Sequence, residues 1–185
     1  IRDSSKTALT WGKYLFPMSQ YYNIWDTGTN TVLFRYAEVL LCYAEAENEL
    51  NGPSDDVYDK LNLIRNRVGM PHVDVAKYNT QDKLRELIRR ERSIEMAGEG
   101  LRRADILRWR DAAGKMLAET LLNGDLLRPM GTIDYAEANP YKRAVVNPNR
   151  KVLIEPRSFA PYNRYLPIPQ KYRDLNDKLE QNEGY

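Results

Sequence analysis

Between Leu33 and Leu50 the apolar residues recur at the spacing of a helix. At about 100° per residue, Leu33, Tyr36, Ala37, Leu40, Leu41, Tyr43 and Ala44 share one broad face. Arg35, Glu38, Cys42, Glu45 and Glu49 fall on a narrow stripe opposite, with Val39 and Ala46 making one flank of that stripe apolar. The pattern predicts a helix covered on more than one side. Asn51-Gly52-Pro53 ends it, because proline blocks continuation. Ser54 then predicts an N-cap, with Asp55 and Asp56 in the first turn where the helix dipole favours acid. Val57, Leu61, Ile64 and Val68 give this second helix its core stripe, and Gly69 and Pro71 stop it. The short connection predicts an antiparallel hairpin.

The same reasoning places a third helix from about Gln81 to Ala97, capped by Thr80, with Leu84, Leu87, Ile88 and Ile94 inward and Gly98 closing it. A fourth segment, about Leu101 to Leu121, carries Ala104, Ile106, Leu107, Trp109 and Leu117, with Gly114 as its weak point. The two hairpins start about 47 residues apart, against about 34 for tetratricopeptides. Beyond Gly124 the texture turns to Pro, Asn and Tyr with short β-favouring runs such as Val152-Leu153-Ile154, which predicts a loop-rich tail. Tyr165-Leu166-Pro167-Ile168-Pro169 reads as extended, since each proline pushes its predecessor out of the α region. A last short helix is predicted from about Gln170 to Lys178. The predicted class is mainly α, with antiparallel helical hairpins, long irregular loops and a proline-rich C-terminal tail. We read 1–185 as a single domain with an irregular aromatic-rich lead (1–32), hairpins (33–121) and tail (122–185).

Composition narrows the function classes. The 185 residues are 42% hydrophobic, enough for one compact core. The 28 basic and 26 acidic residues leave a formal +2, so no long-range field draws the chain to nucleic acid or an anionic membrane. The single cysteine, Cys42, excludes an intrachain disulfide and reads as a small core residue. No apolar run approaches the roughly 20 residues that cross a bilayer, and residues 1–10 lack a signal-peptide pattern. With no initiator methionine, the chain reads as a mature protein or a fragment of something longer.

The carboxylates could do chemistry or hold helices together. One histidine, His72, and one cysteine supply too few ligands for a di-iron or zinc site, so no metal or cofactor is expected. No phosphate loop, nucleophile elbow or Cys-His arrangement is present. Glycosidases need two carboxylates flanking a bond, and no spacing here singles out a pair. The arginines of the third and fourth segments alternate with glutamates, and the planar guanidinium favours two-point pairing with carboxylates between packed helices. We therefore expect Glu38 and Glu45 to pair with Arg65, Arg67 or the third helix, with Arg92 and Glu95 one turn apart in the same network. Tyrosine dominates the aromatics, 13 against 3 phenylalanines and 3 tryptophans, and suits half-wet surfaces. Trp11, Tyr14, Tyr21, Tyr22 and Trp25 are candidates for a sugar-stacking platform; alternatively they anchor an irregular segment to the helices.

Laid out in order, the motifs resemble the C-terminal region of the SusD/RagB family. Phe34-Arg35-Tyr36-Ala37-Glu38-Val39-Leu40-Leu41, Tyr43-Ala44-Glu45-Ala46-Glu47-Asn48, and Leu61-Asn62 with Ile64-Arg65-Asn66-Arg67 and Gly69 open the series. Glu91-Arg92 with Glu95, Gly98-Glu99-Gly100 with Arg102, Asp105 with Arg108-Trp109, Leu166-Pro167-Ile168-Pro169 and Gln181-Asn182-Glu183-Gly184-Tyr185 continue it. Glu183 departs from the proline usual in that tail, and Arg103 from the usual aromatic residue. The resemblance implies a non-enzymatic, surface-exposed outer-membrane lipoprotein with a tetratricopeptide-like scaffold, capturing oligosaccharides or polysaccharides, or in some members peptides, for a TonB-dependent transporter of the SusC type. It also implies that this chain is the C-terminal portion of a longer protein, since Cys42 lies mid-helix and cannot carry the family's lipid anchor. The competing expectation is a protein-interaction module that docks the transporter or a peptide without a sugar site of its own.

Overall fold

The computed structural model describes residues 13, 14, 32–139 and 142–185. The elements are α1 (Tyr36–Asn51), α2 (Asp55–Arg67), α3 (Gln81–Glu95), α4 (Arg102–Arg108), α5 (Leu117–Leu121), β1 (Gly124–Ile133), β2 (Ala144–Arg157), a 3-10 turn (Pro161–Arg164) and α6 (Gln170–Leu175). The chain is mostly helical with a small two-stranded sheet. It divides into two compact units, the first ending at Arg102 and the second running Arg103–Tyr185.

In the first unit α1 packs against both α2 and α3. Leu40, Leu41 and Ala44 of α1 meet Val57, Tyr58, Leu61 and Ile64 of α2 and Leu84, Leu87 and Ile88 of α3, with Val73 and Met96 closing the cluster. Each large aliphatic side chain fully buried here contributes about 1.5–3 kcal/mol. The helix starts follow the predicted caps: the Val57 amide donates to Ser54 Oγ and the Lys83 amide to Thr80 Oγ1, both at 3.4 Å. The C-terminus of α1 is clamped to the start of α3. Buried Asn48 donates to the Gln81 carbonyl at 3.1 Å, and Gln81 donates back to the Asn48 carbonyl at 2.7 Å.

Several expected core positions are corrected. Ile94 is 65% exposed: seven residues past Leu87, it lies at the edge of the buried arc and one residue from the end of α3. Its interior place goes to Arg92, four residues after Ile88 and only 4% exposed. Val68 follows the last residue of α2 and is exposed. Cys42 is exposed, not a core residue. Leu33 precedes α1, and both Tyr36 and Tyr43 lie at the border of its buried arc, so all three face solvent. The second apolar flank of α1 is open: Tyr36, Val39, Tyr43 and Leu50 are all exposed.

The fourth helical segment is not continuous. It breaks into α4 and α5 around a tight turn in which Asp111 accepts from the amides of Ala113 and Lys115 and Gly114 sits at the bend. A second long hairpin is therefore absent among the described residues. In the second unit Ile106, Met116, Ala118 and Phe159 form the core, flanked by Leu107, Leu117 and Leu122. Asn123 ties it together, donating to the Phe159 carbonyl and accepting from the Phe159 amide.

The predicted loop-rich tail is also corrected, since β1 and β2 form an antiparallel hairpin. Its register breaks twice, at Leu126/Leu127 and at Pro129/Met130, where residues 148–150 bulge out of β2. Proline lacks the amide a ladder needs: Pro148 falls in the bulge, while Pro129 and Pro156 hold paired positions, as a ribbon of two edge strands allows. On one face Leu127 pairs with Leu153, Gly131 with Val146 and Ile133 with Ala144.

Candidate functional site

Of the five proposed sugar-stacking aromatics, Trp11, Tyr21, Tyr22 and Trp25 lie outside the described residues. Tyr14 is described, with its side chain half exposed and its backbone at φ +63°. Desolvation and then a hydrogen bond to Glu99 raise the pKa of its hydroxyl. Its neighbour Lys13 donates from Nζ to the carbonyls of Glu95 (2.7 Å) and Ala97 (3.2 Å) and pairs with the Glu99 carboxylate. A cation here meets the unsatisfied carbonyls at the end of α3. Lys13 thus caps the C-terminal end of α3.

The charges of that unit converge on the same place. Gly98 and Gly100 both adopt positive φ (+79° and +80°), which folds the chain after α3 back so that Glu99 meets Arg35. Arg35 also donates to the Glu95 carboxylate and carbonyl. The Arg35 guanidinium, and then Lys13, hold the Glu99 carboxyl down at about 2, and the two carboxylates in turn raise the pKa of Arg35. A carboxyl held that low cannot store a proton at neutral pH, so Glu99 is unsuited to general-acid chemistry.

The remaining ion-pair candidates fall around this centre. Arg67 reaches Glu95 at 2.6 Å, and Arg65 pairs with Glu91 while donating to the Pro71 carbonyl. Arg65 and Arg67 therefore serve α3 carboxylates, where Glu38 or Glu45 was among the expected partners. Glu38 lies 3.8 Å from the buried Arg92, whose Nη1 is 3.4 Å from Cys42 Sγ. Glu45 lies in the field of Arg89. These pairs link α2 to α3 and α1 to α3. Among the described residues no group of three or more His, Cys, Asp or Glu side chains could hold a metal ion.

Two concavities are lined by described residues. The first, about 540 Å³ and shallow, lies along α1 and is lined by Phe34, Glu38, Val39, Cys42 and Tyr43. The second, about 370 Å³, lies in the second unit between the 161–165 turn and the chain's end, lined by Pro161, Tyr162, Arg164, Tyr165, Glu183 and Gly184. Its frame is stiff. Pro167 and Pro169 keep 165–169 extended, and Gln181 both accepts from the Ile168 amide (2.8 Å) and donates to the Ile168 carbonyl (3.0 Å). Asn182 donates to the Leu166 carbonyl at 2.7 Å, and the Tyr185 hydroxyl donates to the Tyr165 carbonyl at 2.9 Å. The Tyr185 ring meets Tyr162 edge to face, with centroids 5.2 Å apart. Arg103, from α4, donates to the Asn163 carbonyl at 3.0 Å. The sequence reading did not single out this cleft; its one signal was the density of tyrosines beside prolines from 161 onward.

These two end-of-helix and end-of-chain devices are built from the motifs that carry the family resemblance, and the comparisons agree. Over 161 residues the chain is 32% identical to the SusD-like protein P25 of Formosa agariphila, covering 84% of this chain and 25% of that one. It is 38% identical to the SusD-like protein P38 of the same organism over 48% of this chain and 18% of the relative. The chain thus spans about a quarter or less of the length of these curated relatives. The crystal structure of a SusD-like protein from Bacteroides fragilis superposes with a TM-score of 0.60 at 28% identity, over 85% of this chain and 26% of that one. With the sequence model of the SusD family matching residues 2–185, the chain belongs to the SusD family.

Proposed function

We propose that the protein is a non-enzymatic glycan-binding member of its family, acting at the cell surface and delivering its ligand to a TonB-dependent outer-membrane transporter of the SusC type. The observation that carries this reading is family membership across nearly the whole chain. In this reading the chain is the C-terminal portion of a longer, lipid-anchored outer-membrane protein, and it supplies scaffold together with part of the exposed surface. The structure's charged residues support a scaffold role, since the Arg35–Glu95–Glu99 centre is occupied in tying helices together. Titrating the whole protein with an oligosaccharide panel while following tryptophan fluorescence tests the proposal. A saturable response to one glycan class supports it; a flat response to every glycan, from a folded protein, sinks it.

A second reading has an observation of its own. The open flank of α1 repeats apolar residues at helical spacing, Tyr36, Val39, Tyr43 and Leu50, all exposed. Such a stripe suits the apolar face of another helix. In this reading the chain is a protein-interaction scaffold that docks the transporter or a peptide. Cross-linking from a photoreactive residue placed at Val39 tests the docking surface, with protein adducts supporting it and their absence removing it, and the glycan titration then separates the two readings, since this one has no sugar site of its own.

A further inference from the structure

The tyrosine cleft of the second unit has the features of a built ligand site. Its volume of about 370 Å³ lies at the low end of small-molecule sites, which run from about 300 to 1,000 Å³. That leaves room for a mono- or disaccharide. Tyr165 serves the fold through its backbone carbonyl, which accepts from the Tyr185 hydroxyl, while its side chain stays half exposed. The Arg164 guanidinium lies over one side of that ring, 4.6 Å from its centroid, so a ligand would stack on the other side, and Arg164 itself lines the cleft. Glu183 lines the same cleft and supplies carboxylate acceptors. An aromatic ring, a guanidinium and a carboxylate thus line one concavity, and the charges of Arg164 and Glu183 cancel. That combination disfavours an ionic ligand and suits a neutral one rich in hydroxyls with an apolar face. The Gln181 and Asn182 hydrogen bonds and the flanking prolines hold the walls before any ligand arrives, which lowers the ordering cost of binding.

We infer that this cleft binds a sugar ring of a neutral oligosaccharide, stacked against Tyr165, with Arg164 and Glu183 hydrogen-bonding its hydroxyls. The inference rests on the glycan-binding reading and assigns it a place in this chain. It differs from the α1 concavity, which is shallow and mostly apolar and offers no comparable set of opposed polar groups.

Calorimetric titration of the full chain with neutral gluco-, xylo- and manno-hexaoses, and with an acidic uronate hexamer, tests it. The expected result is saturable binding of one neutral series. Tyr165→Ala should weaken it about tenfold, and Tyr165→Phe should leave it within about twofold, because stacking needs the ring and not the hydroxyl. Both variants keep the backbone carbonyl that Tyr185 uses, and melting curves check that they fold. In parallel, the wild-type Tyr165 ring resonances should shift on titration, a readout independent of any variant. If the wild type binds a neutral glycan while Tyr165→Ala binds equally well or those resonances stay fixed, the cleft assignment falls and the glycan reading stands. Preference for the uronate overturns the neutral-ligand claim. If the folded wild-type chain binds none of the probes, this inference fails, and the same titration of the whole protein decides whether the broader reading fails with it.

Discussion

Arg35 grips Glu99 with two arms of its guanidinium: Nε lies 2.9 Å from Oε2, and Nη2 lies 2.7 Å from Oε1. The pair joins the residue before α1 to the turn after α3, so it closes the first unit across 64 positions of sequence. Removing one partner strands the other's charge. Glu99→Ala should cost about 2–3 kcal/mol by urea unfolding, below the 3–5 typical of a fully buried pair because Arg35 keeps some exposure. Arg35→Ala with Glu99→Ala should cost clearly less than the sum of the two. Additive losses would show that the two side chains do not work as a pair.

The same contact sets an acid limit. Glu99 titrates at about 2 in the folded chain against an ordinary 4.5. A carboxyl depressed on folding stabilises the fold fully above its unfolded value and loses that contribution as pH falls through the folded one. The stabilisation, on the order of 3 kcal/mol, should therefore be complete above pH 4.5 and decline toward pH 2. The stability gap between wild type and Glu99→Gln should be constant from pH 5 to 7 and narrow at lower pH. A gap that widens on acidification would contradict the sign.

How much of this was legible beforehand differs by element. The start of α2 and α3 could be read because Ser54 and Thr80 are cap residues ahead of clean helical periods. Arg92 was legible as an ion-pair residue between helices, but its near-complete burial was not, because that depends on where α1 packs. The hairpin stayed hidden because the stretch beyond Gly124 reads as a Pro- and Asn-rich tail, yet a two-stranded ribbon has only edge strands and tolerates Pro129, Pro148 and Pro156. The tyrosine cleft depends on residues 181–185 folding back on 162–168, a contact that no local window contains.

That return of the chain hinges on Gly184. It sits at φ +92°, and a Cβ there would lie 2.4 Å from Cγ of the Tyr162 ring. Gly184→Ala meets strain and collision together, so it should cost about 1–3 kcal/mol and loosen the contacts made by Gln181 and Asn182. Hydrogen exchange would show the Ile168 amide, which donates to Gln181, losing protection while the amides of α1 to α3 keep theirs. Unchanged protection at Ile168 would mean that the tail is held by something other than this turn.

The open flank of α1 makes the opposite kind of prediction, a substitution that stability should not notice. Val39 and Leu50 are 52% and 79% exposed, so replacing both with lysine removes little buried area from the chain. The unfolding free energy should stay within about 0.5 kcal/mol of wild type. Association should change instead. Apolar residues repeated along an open helix face favour contact with another apolar surface, and two lysines oppose it by charge and by desolvation cost. Light scattering across a concentration series should show weaker self-association for Val39→Lys with Leu50→Lys. A large loss of stability would mean that the flank is already covered within the folded chain, and the docking reading of α1 would then lose its basis.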